Sequence, residues 1–299
     1  MRVFVTGASG WIGSAVVAEL LAYGHQVVGL ARSNDATAAV AALGAEVLRG
    51  SLDDPACLAR GAAASDGVVH LGYNHDFARM AEAAQTDRRA IEAIGDALLG
   101  TGRPFVIAAG VLGLASGRPA TELDVPDPNL HPRLAGIAQA LSYAERGVRP
   151  VSVRFAPTVH GAGDHGFVAT LVAIARVRGV SGYVGAGDNR WSAVPRLDAA
   201  HLVRLALENA EAGSSVHAVA EEGLSTRTIA EAIGAGLGIP DASIPAEQAA
   251  DHFGWMARFF GADATASNVI TRGRLGWEPT RPGLLDDLAE GHYFAMRAT

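Results

Sequence analysis

Gly7, Gly10 and Gly13 recur at three-residue steps in Thr6-Gly7-Ala8-Ser9-Gly10-Trp11-Ile12-Gly13, and what flanks them leaves few folds open. Before them, Arg2-Val3-Phe4-Val5-Thr6 is a short apolar run suited to a parallel strand buried on both faces. After them, Ile12, Val16, Leu20 and Tyr23 recur at three- and four-residue steps, the period of a helix. In such a strand–turn–helix, Gly7 allows the tight turn, Gly10 lets a pyrophosphate approach the backbone, and Gly13 lets the helix pack against the strand. The free N–H groups and the positive end of the helix then face the phosphates. Gly7, Ser9, Gly10, Trp11, Ile12 and Gly13 are therefore the expected walls of a dinucleotide site.

The rest of the chain is read for what it permits. At 299 residues and 49% hydrophobic content, it can bury a large core in one domain plus a smaller lobe. A net charge of −7 argues against nucleic acid or an anionic membrane as partner, and a small-molecule substrate is expected instead. There is no uncharged apolar run of about 18 residues to span a bilayer. Glu19 and the glycines interrupt the N-terminal apolar stretch, so it is not read as a signal peptide. The lone Cys57 excludes a disulfide framework and reads as a buried apolar residue. The expectation is a soluble, cytoplasmic protein; a homodimer is left open.

Apolar strand-like runs at 2–6, 26–30, 46–48, 67–71, 105–108 and 150–154 alternate with helical stretches near 35–43, 54–61, 77–100 and 132–146. Parallel neighbours need crossover helices, so the fold class is α/β: a Rossmann-type doubly wound parallel sheet with a smaller C-terminal substrate-binding lobe. The dinucleotide-binding domain is placed at 1–160 with return elements near 197–220, and the lobe at 161–196 and 221–299. Ligands in such a sheet lie beyond the carboxyl ends of the strands. After the second strand stands Arg32, suited to the 2′-phosphate of NADP, where an acidic residue would instead read the ribose of NAD. The cofactor expectation is therefore NADP rather than NAD.

Several motifs together resemble the short-chain dehydrogenase/reductase superfamily, in its extended or atypical, epimerase/dehydratase-like branches. They are the glycine loop, His70-Leu71-Gly72-Tyr73-Asn74-His75-Asp76-Phe77, Arg154-Phe155-Ala156-Pro157-Thr158-Val159-His160-Gly161, and Arg274-Leu275-Gly276-Trp277-Glu278-Pro279. Tyr183-Val184-Gly185-Ala186-Gly187-Asp188-Asn189-Arg190-Trp191-Ser192 resembles the hairpin of that family's substrate lobe. The resemblance implies cofactor contacts at Ser51 and Leu52, Leu71 and Gly72, Ala108 and Pro157. Ser51 stands where the family usually carries Asp, and Asp53 and Asp54 read as caps of the next helix.

The resemblance also implies a serine or threonine after strand five and a Tyr-x-x-x-Lys motif near 129–133. This chain has Ala108-Ala109-Gly110 at the first place and Asn129-Leu130-His131-Pro132-Arg133 at the second. The lysine is impossible, because all 24 basic side chains are arginine. Arg133 can supply the cation and touch the nicotinamide ribose, but a guanidinium stays protonated and cannot relay a proton. A substitute acid is sought at Tyr73, His75 or His131; Asp76 orients His75 or caps a helix. His70, inside an apolar strand, reads as a hydrogen-bonded core histidine.

His160 and His165 lack a third ligand at a recognisable spacing, so no metal is expected. The aromatic group His252, Phe253, Trp255, Phe259 and Phe260 serves either as core or as an apolar wall of a substrate pocket. The function expected is an NADP(H)-dependent oxidoreductase or epimerase acting on a carbonyl or secondary alcohol, with a non-standard proton donor. The alternatives are a non-redox isomerase, dehydratase or cyclase on the same scaffold, and a catalytically silent nucleotide sensor.

Overall fold

The computed structural model describes residues 1–74, 79–128 and 132–295, the side chain of Pro132 excepted. The first half alternates strictly: β1 (Arg2–Thr6), α1 (Trp11–Ala22), β2 (Gln26–Ala31), α2 (Asn34–Ala42), β3 (Glu46–Arg49), α3 (Pro55–Ala63), β4 (Gly67–His70), α4 (Met80–Ala97), β5 (Pro104–Gly110), α5 (Pro132–Ser142) and β6 (Arg149–Phe155). The second half mixes lobe and sheet: β7 (Thr158–His160), α6 (Phe167–Arg178), β8 (Ser181–Val184), β9 (Arg190–Pro195), α7 (Arg196–Asn209), β10 (Ser214–Ala218), β11 (Glu221–Ser225), α8 (Thr226–Leu237) and β12 (Asp241–Ile244).

The main sheet has seven strands in the order β10-β6-β5-β4-β1-β2-β3, all parallel. Its order reverses between β1 and β4, where Thr6 pairs in register with His70, and this opens the crevice that receives ligands in doubly wound folds. Helices cover both faces. Val16, Val17 and Leu20 of α1 join Leu202, Val203 and Leu207 of α7 against one face. Cys57 and Leu58 of α3, Ile91 and Ile94 of α4 and Ile137 of α5 cover the other. Cys57 is fully buried, as its apolar reading expects. Asp54 caps α3 by accepting from the Cys57 N–H at 2.9 Å, whereas Asp53 accepts from Thr86 at 3.1 Å instead of capping.

A separate core of Val168, Leu171, Trp191, Ile229, Phe253 and Phe260 holds the lobe. The expected hairpin between Tyr183 and Ser192 does not form. β8 pairs in parallel with β12, and β9 pairs with β7 and β11. Gly185 (φ 59°) and Gly187 (φ 69°) take left-handed conformations that redirect the chain, and each strand finds its partner from a distant segment. The aromatic group divides between its two readings: Phe253 and Phe260 are core, while Trp255 is 46% exposed. No helix among the described residues is long and apolar enough to cross a membrane.

Candidate active site

The glycine loop is a tight turn in which Gly7 and Gly13 admit no side chain. Gly7 has φ +68°, and a Cβ there would lie 2.7 Å from the Gly72 nitrogen. A Cβ on Gly13 would lie 1.9 Å from the Gly7 carbonyl oxygen, so α1 and the turn are in backbone contact. Gly10 is the N-cap of α1 without a side-chain cap, and no acidic residue stands in the first turn. Ser9 and Gly10 are exposed and lie open to a ligand. The free N–H groups of the first turn of α1, the positive helix end and glycines at the closest approaches fit a dinucleotide pyrophosphate.

At the end of the crevice nearer β2 and β3, Arg32 follows β2 and is exposed. Its neighbour Ser33 is engaged in capping α2, accepting from the Ala36 N–H at 3.1 Å. The Ser51 hydroxyl accepts from the Asp53 N–H at 3.2 Å, so it acts within its own turn. Leu52 comes against Gly72: a Cβ on that glycine would meet the Leu52 side chain at 3.2 Å. Leu52 thus lies beside Gly72, at the exit of β4.

Beneath the β4 exit runs a buried polar chain. His70 Nδ1 is 2.7 Å from the Thr6 hydroxyl and Nε2 is 3.0 Å from Asp87 Oδ1. The Thr6 oxygen also accepts the Gly72 N–H at 3.0 Å. Three side chains from β1, β4 and α4 therefore fix the backbone from which Tyr73 projects. His70 is the core histidine expected of it. Its partner Asp87 carries no sequence signal, because the contact depends on α4 packing over β4.

Tyr73 and Arg133 meet. The Arg133 guanidinium lies over the Tyr73 ring, 4.1 Å from its centroid, and Nη2 donates to the Ala108 carbonyl at 3.3 Å. Arg133 sits in the first turn of α5, turned toward the end of β5. Burial pushes the Tyr73 phenol above its ordinary value; the Arg133 charge opposes that rise and Asp87 adds to it. The β5 exit, Ala108-Ala109-Gly110, brings no hydroxyl, so its part is the Ala108 carbonyl. His75 and His131, the other two candidate acids, lie outside the described residues, as do Asp76 and Asn129.

Pro157, half-buried, links β6 to β7. The Trp11 indole N–H donates to the Val159 carbonyl at 2.8 Å, which ties this exit to the glycine loop. Beyond it the chain is held by the C-terminal segment. His160 Nδ1 and His292 Nε2 each lie 2.9 Å from a different oxygen of Asp287, and the Tyr293 hydroxyl donates to Asp164 at 2.9 Å. Burial pushes Asp287 up, but the two histidine hydrogen bonds outweigh it and hold the carboxyl below its usual value. Ligand atoms of Asp287, Glu290 and His292 lie within 4.8 Å of one another. Both Asp287 oxygens are already engaged by histidines, and the arrangement is complete as a structural tie.

The strand reversal at β1/β4, the tight glycine turn ahead of α1 and the tyrosine under an arginine beside the end of β5 are features of a dinucleotide-binding α/β scaffold. Residues 3–220 match the NAD dependent epimerase/dehydratase family, and the chain belongs to it. It is 47% identical over 296 residues to an uncharacterized protein of Schizosaccharomyces pombe, covering 98% of this chain and 100% of that one. It is 30% identical over 199 residues to the 4-hydroxy-2-methyl-3-oxo-4-farnesyl-3,4-dihydroquinoline-1-oxide ketoreductase of Stigmatella aurantiaca, covering 60% of this chain and 56% of that one. Among solved structures, the fold is similar to the dTDP-glucose 4,6-dehydratase DesIV of Streptomyces venezuelae with NAD bound. That match has a TM-score of 0.77 and 21% identity, covering 98% of this chain and 96% of the other.

Proposed function

We propose that the protein is an NADP(H)-dependent oxidoreductase that acts on a carbonyl or secondary alcohol of a small apolar molecule, with Tyr73 as the proton donor. The observation that carries this reading is the Tyr73–Arg133 pair beside the Ala108 carbonyl. It stands at the end of β5, where a doubly wound sheet presents reacting groups. The dinucleotide, when bound, supplies or takes the hydride. The chain's own residues do the rest. The glycine loop holds the phosphates, and the Asp87–His70–Thr6 chain fixes the Tyr73 backbone. Arg133 holds the ring from above and places a permanent charge beside the phenol. A phenol kept protonated at neutral pH can give its proton to the oxygen that gains charge as a carbonyl is reduced.

The apolar substrate is supported by the lobe. Phe167 packs edge-on against Trp255 and tilted against Phe259, with centroids 5.8 and 5.3 Å away, and Leu112 from the β5 exit packs on the same cluster. The Stigmatella relative is a ketoreductase by name, in keeping with a reductive reading. Turnover of NADPH against a panel of aldehydes, ketones and quinones tests it, and no NADPH consumption with any of them would overturn it. Epimerisation is the second reading, favoured by the family match. It would interconvert an alcohol and its epimer without net consumption of cofactor.

The preference for NADP rests on Arg32. NADPH should bind about tenfold tighter than NADH, roughly 1.4 kcal/mol, the scale of a charge-assisted phosphate contact. Arg32→Ala should erase most of that difference in a calorimetric titration. Equal affinities in the unmodified protein would remove the preference.

A further inference from the structure

We propose that Arg196 is a pyrophosphate ligand of the cofactor site, reaching the first turn of α1 from the start of the neighbouring α7. The assignment rests on the dinucleotide reading of the cradle and adds to it a side chain from outside the loop.

Arg196 opens α7, directly after β9. Its Nη2 donates to the Ser14 hydroxyl at 2.6 Å, and that hydroxyl donates in turn to the Gly10 carbonyl at 2.7 Å. The guanidinium is thus one hydroxyl away from the middle glycine of the cradle. Its central carbon also lies over the ring of Trp11, the first residue of α1, 4.1 Å from the centroid. The indole is itself pinned by Val159, and the exposed His165 ring meets it edge-on at 5.5 Å.

No carboxylate among the described residues pairs with Arg196, and its buried Nε has no hydrogen-bond partner. Three other shielded arginines are provided for. Arg204 bonds Glu19 and Glu208 at 2.9 and 2.8 Å, Arg149 donates to two backbone carbonyls, and Arg154 feels Asp124 and Glu122. Burial depresses Arg196 below the usual arginine value with no charge opposing it. The N-terminus of α1, immediately beside it, also lacks an acidic side chain. Two positive groups left uncompensated at one place cost the apo protein stability, and a diphosphate arriving there satisfies both. Diphosphate is common to NADP(H), NAD(H) and ADP-ribose, so the contact does not discriminate among them.

Arg196→Met keeps an apolar stem against Trp11 and removes the charge. Calorimetric titration should show NADPH, NADH and ADP-ribose each weakened about tenfold, close to 1.4 kcal/mol. Adenosine 2′-monophosphate, which has no diphosphate, should bind unchanged. Arg196→Lys should recover part of the loss. The apo melting temperature of Arg196→Met should equal or exceed that of the unmodified protein, since an unpaired charge is gone; a purely structural arginine would lower it. Dinucleotide affinities within twofold of the parent, or an equal loss for adenosine 2′-monophosphate, would overturn the assignment. In the first case the cofactor reading stands without Arg196, whereas a parent protein that binds none of the three dinucleotide ligands removes both.

Discussion

Tyr73→Phe is expected to lower carbonyl-reducing turnover by about 10²-fold, the usual contribution of a positioned acid, with NADPH affinity little changed. The substitution keeps the ring under Arg133 and removes only the oxygen that carries the proton. A donor must come within about 3 Å of the oxygen it protonates, and only the exits of β4, β5 and β6 reach that point. The β5 exit is Ala108-Ala109-Gly110 and has no donor. The pH dependence follows from the direction of the Tyr73 shift. Burial raises the phenol and Arg133 only partly opposes it, so the donating form persists through neutrality. Reduction should hold steady there and fall as pH rises past the ordinary phenol value of about 10. Alcohol oxidation needs the phenolate and should rise over the same interval. Both limbs should disappear in Tyr73→Phe. Near-full activity in Tyr73→Phe, and then also in His75→Ala and His131→Ala, would leave proton transfer to water or substrate and remove the proposed mechanism.

Gly13→Ala should act on the whole cofactor site. Its added methyl would stand 1.9 Å from the Gly7 carbonyl oxygen, which already accepts the Gly10 N–H at 2.9 Å. Backbone cannot yield as a flexible side chain would, so α1 must move off the turn. A loss of about 2–3 kcal/mol in stability is expected, the scale of overpacking. Dinucleotide affinity should fall on the order of a hundredfold, since the phosphate-facing N–H groups move with the helix. Gly273→Ala is the control. Gly273 lies in the helix Val269–Leu275, with nothing within 4 Å of an added Cβ. There alanine should be neutral or stabilise by up to about 1 kcal/mol. Chemical denaturation and calorimetry of the two variants separate a special glycine from an ordinary one.

Much of the binding half was legible because it is local. The strand, the glycine spacing and the helix lie within the first 22 residues, and each follows from short-range pattern. The parallel sheet was legible for the same reason, since apolar runs alternating with helical periods leave only crossover topology. Arg133 could be placed by counting back from β6, and it does turn to the end of β5. The acid–base half was legible mainly as a vacancy: the usual hydroxyl and lysine are missing, and on the residues alone Tyr73 was favoured as the substitute, ahead of His75 and His131.

What the amino-acid sequence determined by itself was the backbone frame: where strands end, which turn must be free of Cβ atoms, and that arginine is the sole basic side chain. What tertiary structure decided was who meets whom across that frame. Thr6 reaches His70 across 64 residues, and Ser14 reaches Arg196 across 182. Likewise β8 leaves its neighbour in sequence for β12. Backbone propensity and hydrophobic period act over a turn or a strand. Such contacts instead depend on which faces are left to bury once the elements exist. Tyr73 and Arg133 meet for that reason, when α5 brings the guanidinium over the ring.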